Sequence, residues 1–125
     1  MQLANYCHAM HTRGIHFRDL SGGNILVNIG LNNQLNFSLI DTARIHSYNH
    51  AIPVKLRVAD LTRACHKLHW EGRVRFMQIY LGLSGMQFSW QYRLQFKLYD
   101  FKVSLKRTIG RKGIKRLMKR IKGDI

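Results

Sequence analysis

Two aspartates and an asparagine carry the chemistry open to this chain. Asp19 and Asn24 stand five positions apart in Arg18-Asp19-Leu20-Ser21-Gly22-Gly23-Asn24, which runs straight into Ile25-Leu26-Val27. Asp41 follows a second apolar run, twenty-two positions after Asp19. A carboxylate can accept or orient the proton of a hydroxyl nucleophile. An asparagine oxygen and a second carboxylate suit magnesium, which prefers hard oxygen ligands and keeps several waters. Phosphoryl transfer asks for little beyond such parts held in position. The chain has only six acidic residues, so two of them falling here carry weight. For Asp19 and Asn24 alone the competing reading is a solvated turn, with Asp19 capping local amides. Asp41 after a second strand favours the chemical one.

The elements that must hold these residues are legible as periodicities. Residues 2–13 read as a helix, with Leu3, Tyr6, Cys7 and Met10 at helical spacing and Gly14 as a left-handed stop. Residues 15–17 form an extended step into the loop. Residues 24–29 and 35–40 read as strands joined by an Asn-rich turn, since Asn tolerates left-handed angles. That hairpin places both carboxylates at one end, and Gly22 and Gly23 are expected to let the loop turn sharply. Residues 45–53 read as irregular, ending at Pro53. Helices are expected over 55–69, with Leu56, Ala59, Leu61, Ala64 and Leu68 apolar; over 71–82, with Val74, Met77, Ile79 and Tyr80; and over 86–107, with Phe88, Tyr92, Phe96, Tyr99 and Val103. The fold class is therefore α+β, mostly helical, with one small β-hairpin.

Composition bounds the partners. At 125 residues the chain can form one domain with a real core. No run of about eighteen uncharged apolar residues offers a membrane span, and no signal peptide is expected. Cys7 and Cys65 are too few for a disulfide framework, which points to a reducing compartment. Net charge is +15, and residues 106–125 hold nine Lys or Arg against Asp124 alone. Such a balance favours nucleic acid, an anionic membrane face or a phosphorylated substrate. The tail, 106–125, reads as distinct from the domain, 1–105. It sets Ile114, Leu117, Met118 and Ile121 on one helical side among cations, which suits either an interfacial amphipathic helix or a solvated basic tail. The aromatic stripe from Phe88 to Tyr99 could stack on bases, but its spacing is that of a core face. Neither Cys7-His8-His11 nor Cys65-His66-His69 supplies four converging zinc ligands.

Gly14-Ile15-His16-Phe17-Arg18-Asp19-Leu20-Ser21-Gly22-Gly23-Asn24-Ile25-Leu26-Val27 resembles the catalytic loop of the protein-kinase-like superfamily, and within it the bacterial lipopolysaccharide kinase (Kdo/WaaP) family. Phe37-Ser38-Leu39-Ile40-Asp41-Thr42-Ala43-Arg44 resembles that family's metal-binding strand end, and Val58-Ala59-Asp60-Leu61-Thr62-Arg63 its following helix. The resemblance covers about residues 1–85. It implies a kinase-like C-lobe with catalytic loop 17–24 and metal-binding strand end 37–44. It also implies Asp19 as catalytic residue, Asn24 and Asp41 as Mg²⁺ and ATP-binding residues, and Asp60, with Arg18, as structural support for the loop backbone. ATP and Mg²⁺ are the implied cofactors. A lipopolysaccharide core sugar (heptose or Kdo) or another anionic glycolipid is the implied acceptor.

Phe17 stands where many kinases have histidine, and an aromatic there can still fill the apolar interior. Ser21 stands where Ser/Thr kinases carry lysine, Thr42-Ala43 replace Phe-Gly, and no Ala-Pro-Glu motif follows. These departures point away from a protein substrate and toward a sugar. The implied location is cytoplasmic, peripheral at the inner face of the cytoplasmic membrane, with the tail on an anionic surface and no nucleic-acid partner. A Gly-rich phosphate loop, a strand lysine and its partner glutamate have no counterpart here, since the sole glutamate, Glu71, follows the loop. An N-lobe is therefore expected upstream, and residues 1–125 alone are expected to show no phosphotransfer. The rival readings are a catalytically inactive kinase remnant and a basic domain that binds anionic membranes or nucleic acid.

Overall fold

The computed structural model describes residues 2–123; Met1, Asp124 and Ile125, and the side chains of Arg111 and Ile114, lie outside the described residues. The first helix, α1 (Gln2–Thr12), buries Ala4, Cys7, Met10 and His11 at helical spacing. It stops where Gly14 turns to φ 87°, a position at which a Cβ would collide with the Tyr48 carbonyl. The chain then enters β1 (Ile15–His16), the loop, β2 (Ile25–Ile29) and β3 (Leu35–Leu39). Strands β2 and β3 pair antiparallel, with Ile25 opposite Leu39 and Ile29 opposite Leu35. Their turn is made by Asn32 and Asn33 at φ 57° and 58°, the left-handed region asparagine tolerates.

Within the stretch expected to be irregular, β4 (His46–Ser47) pairs antiparallel with β1. Two residues carry no period of their own. This strand exists because Gly14 and His11 carbonyls accept the amides of Tyr48 (2.8 Å) and Ile52 (3.1 Å).

Helix α2 (Val54–Ala64) follows Pro53, and α3 (Trp70–Leu83) follows it. Helix α2 ends five residues before the expected stop. The Arg73 guanidinium captures the His66 and Leu68 carbonyls at 2.5 and 3.0 Å, so they take no part in a continued helix. Its buried face is also rotated from the expected one. Asp60, Leu61 and Thr62 are buried, whereas Ala59 and Leu68 are exposed. Helix α3 closes with Gly85 at φ 70° and the Met86 amide on the Leu81 carbonyl at 2.8 Å, a left-handed cap.

That cap delays α4 (Trp90–Gly123) to four residues past its expected start. The helix then runs through residue 105 without a break, into the basic tail, and is interrupted in backbone angle at Gly110 (φ 69°). Arg73 and His66 fasten it through Asp100, at 2.6 and 2.7 Å. The core gathers α1, the loop residues Phe17 and Leu20, Leu61 and Cys65, the α3 residues Phe76, Met77, Tyr80 and Leu81, and Phe96 of α4. The aromatic stripe of α4 is thus a core face. Phe96 is fully buried, while Phe88, Tyr92 and Tyr99 are half-buried.

Candidate active site

The loop is organised by a buried carboxylate. Asp60 has no exposed surface. Its Oδ2 accepts the Phe17 amide at 2.9 Å and its Oδ1 accepts the Arg18 amide at 2.9 Å. Arg18 sits at φ 70°, a region a side chain enters at a cost, so these bonds hold a turn the backbone alone would not choose. The Arg63 guanidinium donates to the Arg18 carbonyl from the other side. Gly22 and Gly23, expected to make the sharp turn, adopt no positive φ; they lie in a 3₁₀ turn over Gly22–Asn24. The loop's turn is made at Arg18.

Behind Asp60 runs a buried chain that sequence patterns do not reveal. His11 Nε2 lies 3.1 Å from Asp60 Oδ2, and His11 Nδ1 lies 2.6 Å from the Tyr80 hydroxyl. The Asp60 carboxylate only accepts, so Nε2 carries the proton and Nδ1 accepts from Tyr80. The Arg57 guanidinium donates to the Tyr80 oxygen at 3.4 Å. Every donor from Arg57 to Asp60 therefore points toward the loop. Burial holds His11 below the usual imidazole range, outweighing the Asp60 carboxylate that favours its charged form. Burial pushes the Tyr80 hydroxyl up to about 12. His16 Nε2 is 3.5 Å from Asp60 Oδ1 and, among the described residues, is the buried side-chain polar atom without a hydrogen-bond partner. Burial lowers its basicity as well.

Asp19 leaves this anchored turn half-buried. Its backbone carbonyl accepts the Ser21 amide and the Asn24 side-chain amide, both at 2.8 Å. Asn24 thereby turns its side-chain nitrogen inward and keeps its oxygen for another partner. The Ile40 amide bonds the Asn24 carbonyl at 3.0 Å, so the strand end carrying Asp41 lies against Asn24. Asp41 itself is exposed at φ 58°. The hairpin register thus brings Asp19, Asn24 and Asp41 to one end of β2 and β3. Arg44, three residues on, lies 4.0 Å from Asp19 Oδ1. Among the described residues no group of three or more His, Cys, Asp or Glu could hold a metal ion by itself. An Asp and an Asn with waters and phosphate oxygens is a different donor set, one that suits magnesium. A groove of about 470 Å³ between α2 and α4 includes none of these residues; it is lined by Val58, Thr62 and Tyr92 among others.

The thiols are structural. Cys7 and Cys65 are both buried and free, with Cys7 pushed up to about 12 and Cys65 raised further, burial being the main cause.

These features define a mostly helical α+β domain with two small antiparallel sheets. The solved structure of WaaP in complex with acyl carrier protein is similar, with a TM-score of 0.55 and 23% identity over 78% of this chain. The chain spans 46% of that protein, less than half its length. No family model and no curated protein matches the sequence.

Proposed function

We propose that this chain is the catalytic-loop half of an ATP-dependent phosphotransferase resembling the lipopolysaccharide core sugar kinases. The observation that carries this reading is the Asp60-anchored loop that sets Asp19 beside Asn24, with Asp41 delivered to the same end by the hairpin. In the proposed reaction Asp19 accepts the proton of a sugar hydroxyl as that oxygen bonds the γ-phosphorus of ATP, while the bond from that phosphorus to the β–γ bridging oxygen breaks and ADP leaves. The Asn24 oxygen and the Asp41 carboxylate would hold Mg²⁺, which when bound neutralises charge on the ATP phosphates. Asp60 and the Arg18 turn keep Asp19 in position. Arg44 offers a cation for a phosphate or for an anionic acceptor. The acceptor proposed is a heptose or Kdo of a lipopolysaccharide core, or another anionic glycolipid, met in the cytoplasm at the inner membrane face. The net charge of +15 also suits an acidic protein partner.

Asp19, Asn24 and Asp41 stand on an open edge. Closing it over ATP needs a second wall, and the face of β2 that carries Val27 and Ile29, both more than half exposed, is the surface such a lobe would cover. The test is transfer of labelled γ-phosphate to heptosylated core oligosaccharide by the chain joined to an N-terminal lobe. Turnover that Asp19→Ala abolishes supports the reading. Residues 1–125 alone are expected to be silent, as an inactive remnant would be. Turnover by a lobe-complete form that Asp19→Ala leaves intact refutes it.

A further inference from the structure

Helix α4 is apolar on two opposite sides. Its inner side, centred on Phe96, is the core face already described. On the other side Trp90, Leu94, Leu98, Phe101, Leu105 and Ile109 recur at intervals of four, four, three, four and four, a single helical stripe. Five of them are exposed: Trp90 68%, Leu94 46%, Leu98 53%, Phe101 62% and Ile109 44%. The stripe extends roughly 28 Å at the α-helical rise. Helical geometry puts Lys102 and Lys106 along one flank and Arg93 and Lys97 along the other, where both reach over the Trp70 ring at 5.8 and 5.9 Å. Past Gly110 the pattern resumes with Leu117, Met118 and Ile121 exposed among further cations.

Residues 90–123 hold twelve Lys or Arg and a single acid, Asp100, which Arg73 and His66 already engage. The helix is long but not apolar enough to cross a membrane. We propose that the outer face of α4 lies on an anionic lipid bilayer, with Trp90 and Phe101 at the acyl boundary and the flanking lysines at the headgroups. An exposed apolar stripe bordered by cations is what an interfacial helix presents, and each cation near an anionic surface adds attraction. Nucleic acid would satisfy the cations and leave five exposed apolar side chains in water. A second copy would set twelve cations against twelve. This goes beyond the phosphotransferase reading and does not depend on it.

The whole chain is sedimented with vesicles of phosphatidylcholine alone and of phosphatidylcholine mixed with phosphatidylglycerol. It is expected to pellet with the anionic vesicles only, with a blue-shifted emission that Trp90→Phe removes. Leu98→Asp and Phe101→Asp, both on the outer surface, are expected to weaken partition about tenfold or more, while Leu31→Asp on the hairpin leaves it unchanged. Circular dichroism checks that the variants fold, and quenching of Trp90 by brominated acyl chains reports insertion in the unaltered protein. Unchanged partition in both Asp variants, or no quenching, overturns the proposal. So does binding of acyl carrier protein or duplex DNA that Leu98→Asp weakens when the vesicles bind nothing.

Discussion

Asp60 Oδ1 accepts the amide hydrogen of Arg18 at 2.9 Å, at the residue where the loop backbone turns to φ 70°. The bond couples helix α2 to the geometry of Asp19, one residue further on. Asp60 has no solvent contact, so loss of its carboxylate would leave donors at Phe17, Arg18 and His11 facing an empty site.

Asp60→Ala is therefore expected to cost about 3 kcal/mol or more in urea unfolding, because three buried donors lose their acceptor. Asp60→Asn keeps one acceptor oxygen and should cost less. A midpoint for Asp60→Ala equal to that of the unaltered chain would contradict the anchoring role.

Stability should fall in mild acid. His11 and His16 are held below the ordinary imidazole value by burial, whereas in the unfolded chain they titrate near 6.5. The unfolded state therefore binds more protons as pH drops through 6.5, and the folded state loses ground. Unfolding midpoints at pH 7.5 and 5.5 measure this. His11→Gln should reduce the difference, since it removes one of the two groups while its side-chain amide can still donate to Asp60.

Substitutions at Asp19 and Asp41 should separate chemistry from folding. Both are solvent-accessible, so Asp19→Asn and Asp41→Asn are expected to change stability by about 0.5 kcal/mol or less. Asparagine also tolerates the left-handed angle at 41. Asn24→Ala loses its bond to the Asp19 carbonyl and should cost about 1 kcal/mol. Mg²⁺ titration followed by loop amide shifts should show weakened binding in Asp41→Asn and Asn24→Ala. Identical titrations in all three chains would remove the metal from these residues.

Neither thiol should react in the folded protein. With Cys7 raised to about 12 and Cys65 raised as well, little thiolate exists at pH 8. Alkylation is expected to be at least about a hundredfold slower than in urea. Equal rates in both conditions would show that the core opens freely.

The spacing of apolar residues is enough to place α1, the β2–β3 hairpin and the three later helices, because each is stabilised along its own length. Gly14 and the Asn32-Asn33 turn are legible for the same reason: local backbone angles select their residue types. The end of α2 is not legible, since it depends on Arg73 drawing in the His66 and Leu68 carbonyls from the next helix. Strand β4 is likewise a product of pairing with β1. Periodicity hides the burial of Asp60, because a charge on the inner side of an amphipathic helix contradicts the period that identifies the helix; only the family resemblance marks Asp60 as support for the loop backbone.

What the sequence by itself determined is the set of parts: an Asp-Asn loop, a hairpin ending in Asp41, a run of amphipathic helices and a strongly cationic tail. Their types and short-range spacing suffice, because helical and strand periods and turn chemistry act over a few residues. The tertiary structure alone decided that Arg18, not the glycines, makes the loop's turn. It joined Arg57, Tyr80 and His11 into a directed chain of donors ending on Asp60, and it left most of the outer stripe of α4 exposed among the described residues. Those depend on which side chains meet across tens of residues, and packing brings them together where no local period can.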